Sequence, residues 1–368
     1  MITRLYVNNY RSLVAFEMRF DSMSVFCGAN GSGKSSMFDA IQFVCALATG
    51  ACFLGGVPDT RGRTVSHLEF TNWMQSNTQE FEIDLLSNNH QFRYLIHLEQ
   101  SEHHEPRIIQ ETAVCDDREM YTRDANGVRF DNGRTGFPLD QRQAALASIQ
   151  PIPDRREIEL LQKALSSLLI LRPNVQSIEA ESKAESHSLT VNLSNLTSWY
   201  RYLSQDQQCS DLLRESLKCV WPDLKFLILE DAGMSVKTLK LRFNGTDLRF
   251  DQLSDGEKML VGLYAVHAAL SLGKVGTVLI DEPDNFVSLQ ELQPWLLAMS
   301  ELTDSAHQVL LISHNAEIID GNPSAGFFFW RDSHSSPARV STLETPEGMT
   351  AGEALARGWI GSGGKGAV

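Results

Sequence analysis

Gly28-Ala29-Asn30-Gly31-Ser32-Gly33-Lys34-Ser35-Ser36 decides how the rest of the chain is read. It satisfies the pattern G-x-x-x-x-G-K-[ST] at every fixed position. The residue types have a physical reason. Glycines let successive backbone N–H groups turn inward into a concave nest for phosphate oxygens. A lysine at 34 adds a point charge for the β- and γ-phosphates, and the Ser35 hydroxyl suits Mg2+. The flanks agree. Met23-Ser24-Val25-Phe26-Cys27 is a short apolar run that predicts a strand. Ser36 to Leu47 sets Met37, Ile41, Val44 and Leu47 at helical spacing. Strand, glycine loop and helix in that order put an anion site at a helix N-terminus.

The bulk numbers bound the rest. The chain has 368 residues, 42% of them hydrophobic, enough for one large or two ordinary domains. Its net charge is −14, whereas a surface built to neutralise phosphates is basic. Free-standing, tight nucleic-acid binding is therefore not favoured, though a local basic patch stays open. The six cysteines form no C-x-x-C pair. Neither zinc spacing nor a secreted disulfide framework is present, and reduced thiols in a cytoplasmic protein fit best. The N-terminus lacks the apolar core of a signal peptide. No uncharged apolar run reaches the ~18 residues of a membrane span. Phe43 to Val57 comes nearest, but glycines break it and it reads as finishing a buried helix.

Before the loop, Ile2 to Val7 and Val14 to Phe20 read as strands joined through Asn8-Asn9-Tyr10-Arg11-Ser12. Arg11 and Ser12 suit either a nucleotide-facing turn or a polar hairpin. After the loop helix, Gly55 to Arg63 reads as a loop. Phe81–Leu86 and Phe92–Leu98 flank Asn88-Asn89-His90 as a β-hairpin, with further strands near Ile108–Cys115 and Val128–Phe130. Glu102-His103-His104-Glu105 reads as a wet loop rather than a metal site, because adjacent residues on a turn point different ways. Asp154 to about Leu171 reads as one helix with Ile158, Leu161, Leu165 and Leu168–Leu169 on its apolar face, ended by Arg172-Pro173-Asn174. Ser177 to Ser188 reads as an exposed loop, and Leu196–Leu203 and Asp211–Val220 as helices. Leu224–Glu230, Thr238–Phe243 and Asp247–Phe250 read as strands.

Asp251-Gln252-Leu253-Ser254-Asp255-Gly256-Glu257-Lys258 then leads into a helical run, Met259 to Leu272. Ser254 and the N–H groups around Gly256 stand at a helix start, which is either a second anion site or an ordinary cap. Thr277-Val278-Leu279-Ile280-Asp281-Glu282-Pro283 follows, Asp281 lying 27 residues after Ser254. A buried strand ending in Asp is how phosphate-loop ATPases hold Mg2+. Glu282 can polarise an attacking water as a general base. Gln308 to Ser313 is another strand, and His314 after it is either a surface residue or a contact to the γ-phosphate or the water.

In this order the four motifs resemble the ABC-type ATPase heads of the RecF, SMC and Rad50 group, and among them the short AAA-family ATPases of prokaryotic defence systems. Asn9-Tyr10-Arg11-Ser12-Leu13 is similar to the group's N-terminal motif, Leu253–Lys258 to the ABC signature, Asp281–Asn285 to the Walker B and D-loop, and Ser313-His314 to the switch. The resemblance covers roughly Met1 to Trp330. It implies an α/β fold: an ABC-type head with an antiparallel β-lobe, a mixed central sheet and a short helical insertion. Residues 1–150 and 224–345 would form the head, 151–223 the insertion and 346–368 a tail. The resemblance further implies ATP and Mg2+ as cofactors and a discontinuous site, with Lys34 and Asp281 neighbours although 247 residues apart. ATP would be bound by Arg11, Asn30, Gly31, Ser32, Gly33, Lys34, Ser35 and Ser36, and Mg2+ by Ser35 and Asp281. Glu282 would be the base and His314 the γ-phosphate sensor. Ser254, Asp255, Gly256 and Glu257 would serve the nucleotide of a second copy in a head-to-tail dimer.

The chain departs from the group in several places. It has no zinc hook and no long heptad run. Asp255 replaces the usual first glycine of the signature, and Asp284 to Leu289 lacks the familiar His-Pro pair. The Q-loop glutamine is not fixed by the pattern; Gln110 is one of several candidates. Only 54 residues follow His314, with no TOPRIM or HNH nuclease pattern, and they end in a Gly-rich stretch that reads as a mobile tail. The expectation is an ATPase that controls a separate effector, a nuclease or toxin, in prokaryotic defence. The alternative is a RecF-like repair ATPase on duplex DNA. A transporter subunit is disfavoured by the Arg11-Ser12 motif and the antiparallel hairpins, and a non-hydrolysing scaffold by the intact Asp281-Glu282 pair.

Overall fold

The computed structural model describes residues 1–55, 63–101, 105–130, 133, 135–150, 155–303, 307–321, 325–344 and 348–357. The chain divides into two compact units, Met1–Leu168 with Ala316–Val368, and Leu169–Asn315.

An antiparallel sheet of eight strands makes up most of the first unit. Its spatial order is Thr135–Phe137, Gly127–Phe130, Arg118–Asp124, Pro106–Cys115, His90–Gln100, Thr78–Ser87, Ile2–Asn8 and Phe16–Arg19. Alternation drives it: Thr78–Ser87 buries Gln79, Phe81, Ile83 and Leu85 on one face. The predicted hairpin closes at Asn88 and Asn89, with φ of 50° and 63°, the left-handed pair that a tight hairpin turn demands and Asn tolerates. Under the sheet, the fully buried Glu111 carboxylate accepts from Tyr94 and Tyr121 hydroxyls at 3.0 and 2.7 Å. It also accepts from the Ala145 and Leu146 N–H groups at 2.6 and 2.9 Å. It thereby supplies the anion at the start of the short helix Ala145–Ser148. Burial and the Glu111 charge push both phenols well above their ordinary range.

In the same unit the strand Met23–Gly28 pairs in parallel with Gly326–Trp330, which pairs antiparallel with Arg339–Thr342. Phe26 packs against Phe20, Phe38, Phe327 and Phe329, with ring centroids no more than 6.1 Å apart. This aromatic cluster fixes the strand whose end opens into the glycine loop.

In the second unit Leu168–Leu171, Thr277–Asp281 and Gln308–Ile312 lie side by side in that order. The latter two run parallel, with Asp281 opposite Ile312. Their continuous apolar runs are those of strands covered on both faces. The helix Asp255–Ser271 is buried without a break from Met259 to Leu270. It is clamped by Trp295 of the helix Leu289–Leu302, whose Nε1 donates to Leu263 O at 2.8 Å.

Two readings are corrected. The helix predicted to reach Leu171 spans Arg156–Ser166, and Leu168–Leu171 is a strand. An unbroken Leu-Leu-Ile-Leu run fits either period, and a neighbouring strand decides it. The stretch 151–223 is thus not purely helical; it also holds Glu181–Ser182, which pairs with Val236–Arg242 inside a segment predicted as exposed loop. The loop helix, predicted over Ser36–Leu47, spans Lys34–Ala48, and Gly50, at φ 75°, turns the chain into the strand Cys52–Leu54. Most of the Gly55–Arg63 loop, Glu102 to His104, and the tail beyond 357 lie outside the described residues. Among those described, no helix is long and apolar enough to cross a membrane.

Candidate functional site

The motifs fall in both units, and each set is built by its own neighbourhood. In the first unit, Gly28 has φ 138°, and a Cβ there would stand 2.1 Å from Phe329 O. Gly33, at φ 111°, is the N-cap of the helix Lys34–Ala48, and a Cβ on it would lie 2.6 Å from the Ala338 Cβ. Only glycine meets both demands. The buried Lys34 donates from Nζ to Gly28 O at 2.7 Å and Ala29 O at 3.0 Å, folding its charge across the loop. Ser12 lies beneath the loop, its carbonyl accepting from Ala338 N at 2.8 Å. Arg11 is held elsewhere: its guanidinium pairs with Asp39 on the loop helix and with Glu69, and stacks 5.2 Å from the Tyr10 ring. The structure adds Arg331, which the sequence reading missed. Its Nη1 donates to Gly31 O at 3.2 Å while the group lies 5.3 Å from the Trp73 ring.

In the second unit, Ser254 caps the helix Asp255–Ser271. Its Oγ accepts from Glu257 N at 3.3 Å, and Glu257 Oε2 accepts from Ser254 N at 2.7 Å, a closed capping box. Gly256 is small for a different reason: a Cβ there would meet Phe286 O at 2.6 Å. The loop after the Asp281 strand therefore rests directly on the start of this helix. Asp281 ends its strand with a side chain 13% exposed and accepts from Arg172 Nε at 3.2 Å. Glu282 follows in a left-handed conformation, φ 56°, with its N–H on Ile312 O at 2.8 Å. Holding a non-glycine residue there costs on the order of 1 kcal/mol, and such strain gathers at working sites. Asn285 Nδ2 donates to Glu282 Oε2 at 2.6 Å, and His314 Nε2 lies 3.9 Å from Oε1. Ser313 Oγ donates to Asp284 at 3.0 Å, tying the two strand ends together. Asp281, Glu282 and His314 are thus brought to one edge, as are Ser254 to Glu257 beside Phe286. Gln110 lies on the strand Pro106–Cys115 of the antiparallel sheet, opposite His97.

The donor chemistry fits a magnesium-bound polyphosphate. Left-handed glycines and a lysine open one helix, and a carboxylate pair ends one buried strand. One trio of other metal-capable donors lies together among the described residues: His90, Cys115 and Asp116. Asp116 already accepts there from Gln91 N at 2.8 Å and bonds His90 Nδ1 at 2.6 Å.

Comparison with known proteins bears on this arrangement. Residues 23–320 match the family model described as "AAA domain, putative AbiEii toxin, Type IV TA system". Among solved structures, an SMC head bound to the C-winged helix domain of ScpA is similar over 93% of this chain and 98% of its own, with TM-score 0.59 at 17% identity. An SMC head with an extended coiled coil, bound to the C-terminal domain of ScpA derived from Pyrococcus furiosus, covers 93% and 96%, with TM-score 0.56 at 16% identity. An SMC head from Thermotoga maritima covers 94% and 99%, with TM-score 0.51 at 15% identity. No curated protein matches the chain in sequence. At these identities the SMC heads establish the fold, while the family match takes in most of the chain. The chain belongs to this AAA-domain family and has the α/β fold of the ABC-type ATPase heads of the RecF, SMC and Rad50 group.

Proposed function

We propose that this chain binds and hydrolyses ATP, that a second copy closes over the nucleotide, and that the cycle controls a separate effector protein. The observation that carries the reading is the glycine loop itself: left-handed glycines at 28, 31 and 33, no side-chain cap, and a buried Lys34 across it. Residues Asn30 to Ser36 would cradle the phosphates, and Lys34 would move from its carbonyls to the β- and γ-oxygens. Ser35 and Asp281 would hold Mg2+, which when bound supplies charge neutralisation on the phosphates. Glu282, steadied by Asn285, would take the proton of the attacking water, and His314 beside it would sense the γ-phosphate. Ser254 to Glu257 would face the nucleotide of the partner copy. A contact from Arg11 to the nucleotide requires its pairs with Asp39 and Glu69 to open.

A protein effector is favoured over DNA by the net charge of −14. The family description names a toxin of a type IV system, and two of the similar SMC heads are bound to a second protein, ScpA. The free thiols fit a cytoplasmic setting.

The test uses purified protein with ATP and Mg2+. Lys34→Ala should weaken nucleotide retention by about 10²-fold or more. Glu282→Gln should keep ATP, slow hydrolysis by about 10²–10⁴-fold, and accumulate as an ATP-bound dimer in light scattering. Normal hydrolysis by Glu282→Gln removes Glu282 as the base. Failure of the wild type to retain ATP at millimolar concentration, with or without its companion protein, overturns the reading.

A further inference from the structure

Arg172 follows directly on the strand Leu168–Leu171, and Asp281 ends the strand beside it. The guanidinium Nε donates to Asp281 Oδ2 at 3.2 Å. A permanent cation therefore rests against the carboxylate that the reading above gives to Mg2+. Four residues further on, Gln176 Nε2 donates to Asp255 Oδ2, at the first residue of the helix that Ser254 caps. The segment between is stiff. Pro173 fixes its own φ, Val175 is 1% exposed, and Arg172 N and Asn174 N donate to Val191 O and Asn192 O at 2.7 and 3.1 Å. Ser177 Oγ closes it by donating to Asn174 O at 2.7 Å. One short strap thus grips the metal carboxylate at one end and the signature at the other.

We propose that Arg172 is a positioning residue that holds Asp281 and competes with Mg2+ for it, and that the strap to Gln176 passes the outcome of that competition to Asp255. The inference rests on the Mg2+–ATP reading. A guanidinium bonded to one carboxylate oxygen occupies lone pairs and repels an approaching divalent cation. The metal must displace that ion pair, so the Mg2+ requirement lies above that of a bare carboxylate. As Arg172 lets go, the stiff strap shifts at its far end, where the Gln176 amide joins it to Asp255. Each chain would in this way report metal loading at its own Asp281 to the helix start that serves its partner's nucleotide. Nothing in the local sequence marks Arg172 for this task, since its partner lies 109 residues away.

The test measures retention of a fluorescent ATP analogue by the full chain while Mg2+ is titrated, with no turnover required. Arg172→Ala and Arg172→Gln should lower the Mg2+ midpoint about two- to fivefold, the upper part of the range for a partly exposed ion pair. Arg172→Lys, which keeps the charge, should stay near wild type. Gln176→Leu should leave the midpoint alone but abolish the Mg2+-dependent change in amide exchange over Ser254–Lys258. Circular dichroism and melting of each variant confirm the fold, and two neutral variants guard against one failing. An unchanged or raised midpoint in both neutral variants overturns the proposal. So does loss of nucleotide at saturating Mg2+, which would make Arg172 a nucleotide ligand. Asp281→Asn separates the two levels: if it behaves as wild type, or if wild-type retention ignores Mg2+, the metal assignment fails and this inference falls with it.

Discussion

Two helices of this protein begin at sequence motifs, and they satisfy their first turns in opposite ways. Every helix start presents backbone N–H groups without an intrahelical acceptor. The helix Lys34–Ala48 is capped by a glycine, takes no side-chain cap bond and has no acidic residue in its first turn. The helix Asp255–Ser271 is capped by Ser254 and Glu257 reciprocally and carries two carboxylates, Asp255 and Glu257, at its positive end. The first start suits an anion from outside the chain; the second is supplied with anions from within. A motif at a helix start is therefore not a phosphate site by position alone. For Ser254 to meet a nucleotide its hydroxyl must be turned from Glu257, whose carboxylate it also donates to at 2.8 Å. Under the proposed function, that role would belong to the state in which two copies meet.

The comparison is broken most severely at the glycine cap. Gly33→Ala meets a forbidding φ of 111° and a Cβ contact of 2.6 Å with Ala338. Strain and overpacking together should cost about 2–4 kcal/mol. Gly31→Ala is the control, for although its φ is 75°, no atom lies within 4 Å of the added Cβ. It should cost only about 1 kcal/mol. Urea melts of the two variants measure the gap; equal losses would show that the approach of Ala338 does not confine the loop.

A milder break separates the two jobs of Ser254. Ser254→Ala should lose about 1 kcal/mol as a cap, whereas Ser254→Gly should lose only a few tenths. Both remove the hydroxyl. ATP-driven dimerisation of the Glu282→Gln background should fail in both if Ser254 serves the partner's nucleotide. If the glycine variant dimerises normally, Ser254 is a cap and nothing more.

How much of this was legible in the sequence varies with the kind of signal. The glycine loop was readable because its backbone needs allow few residues, and the Asn88-Asn89 hairpin for the same reason. The helix Leu196–Leu203 was readable residue for residue because one face alternates at its own period. Leu168–Leu171 was not, since a run apolar on every side has no period to read. The strand Arg118–Asp124 was missed because its entry turn, Asp116-Asp117, takes left-handed φ of 48° and 62° without a glycine. Arg172, Gln176 and Arg331 were invisible for a more general reason. An arginine acquires meaning from the group it touches, and Asp281 and Gly31 lie 109 and 300 residues from their partners. The motif residues were found as types; what holds them was found only as geometry.

The smallest expected effect sharpens the contrast along the bodies of the two helices. The loop helix buries Cys45, whose thiol burial pushes up to about 12, so it stays neutral at any ordinary pH. The other helix buries His267, 7% exposed, whose Nδ1 has no hydrogen-bond partner. Burial lowers its pKa below the usual 6.5, so the neutral ring is the folded form. An unfolded chain then binds more protons than the folded one as pH falls past 6.5. The stability is complete above that value and is lost as pH descends through the lowered folded value. His307, lowered by burial as well, acts in the same direction. His267→Leu should therefore narrow, without abolishing, the drop in melting temperature between pH 7.5 and 5.5. Cys45→Ala, whatever it costs in packing, should leave that drop unchanged. If His267→Leu also leaves it unchanged, the ring titrates alike in the folded and unfolded chain, and the interior of this helix is wetter than its burial implies.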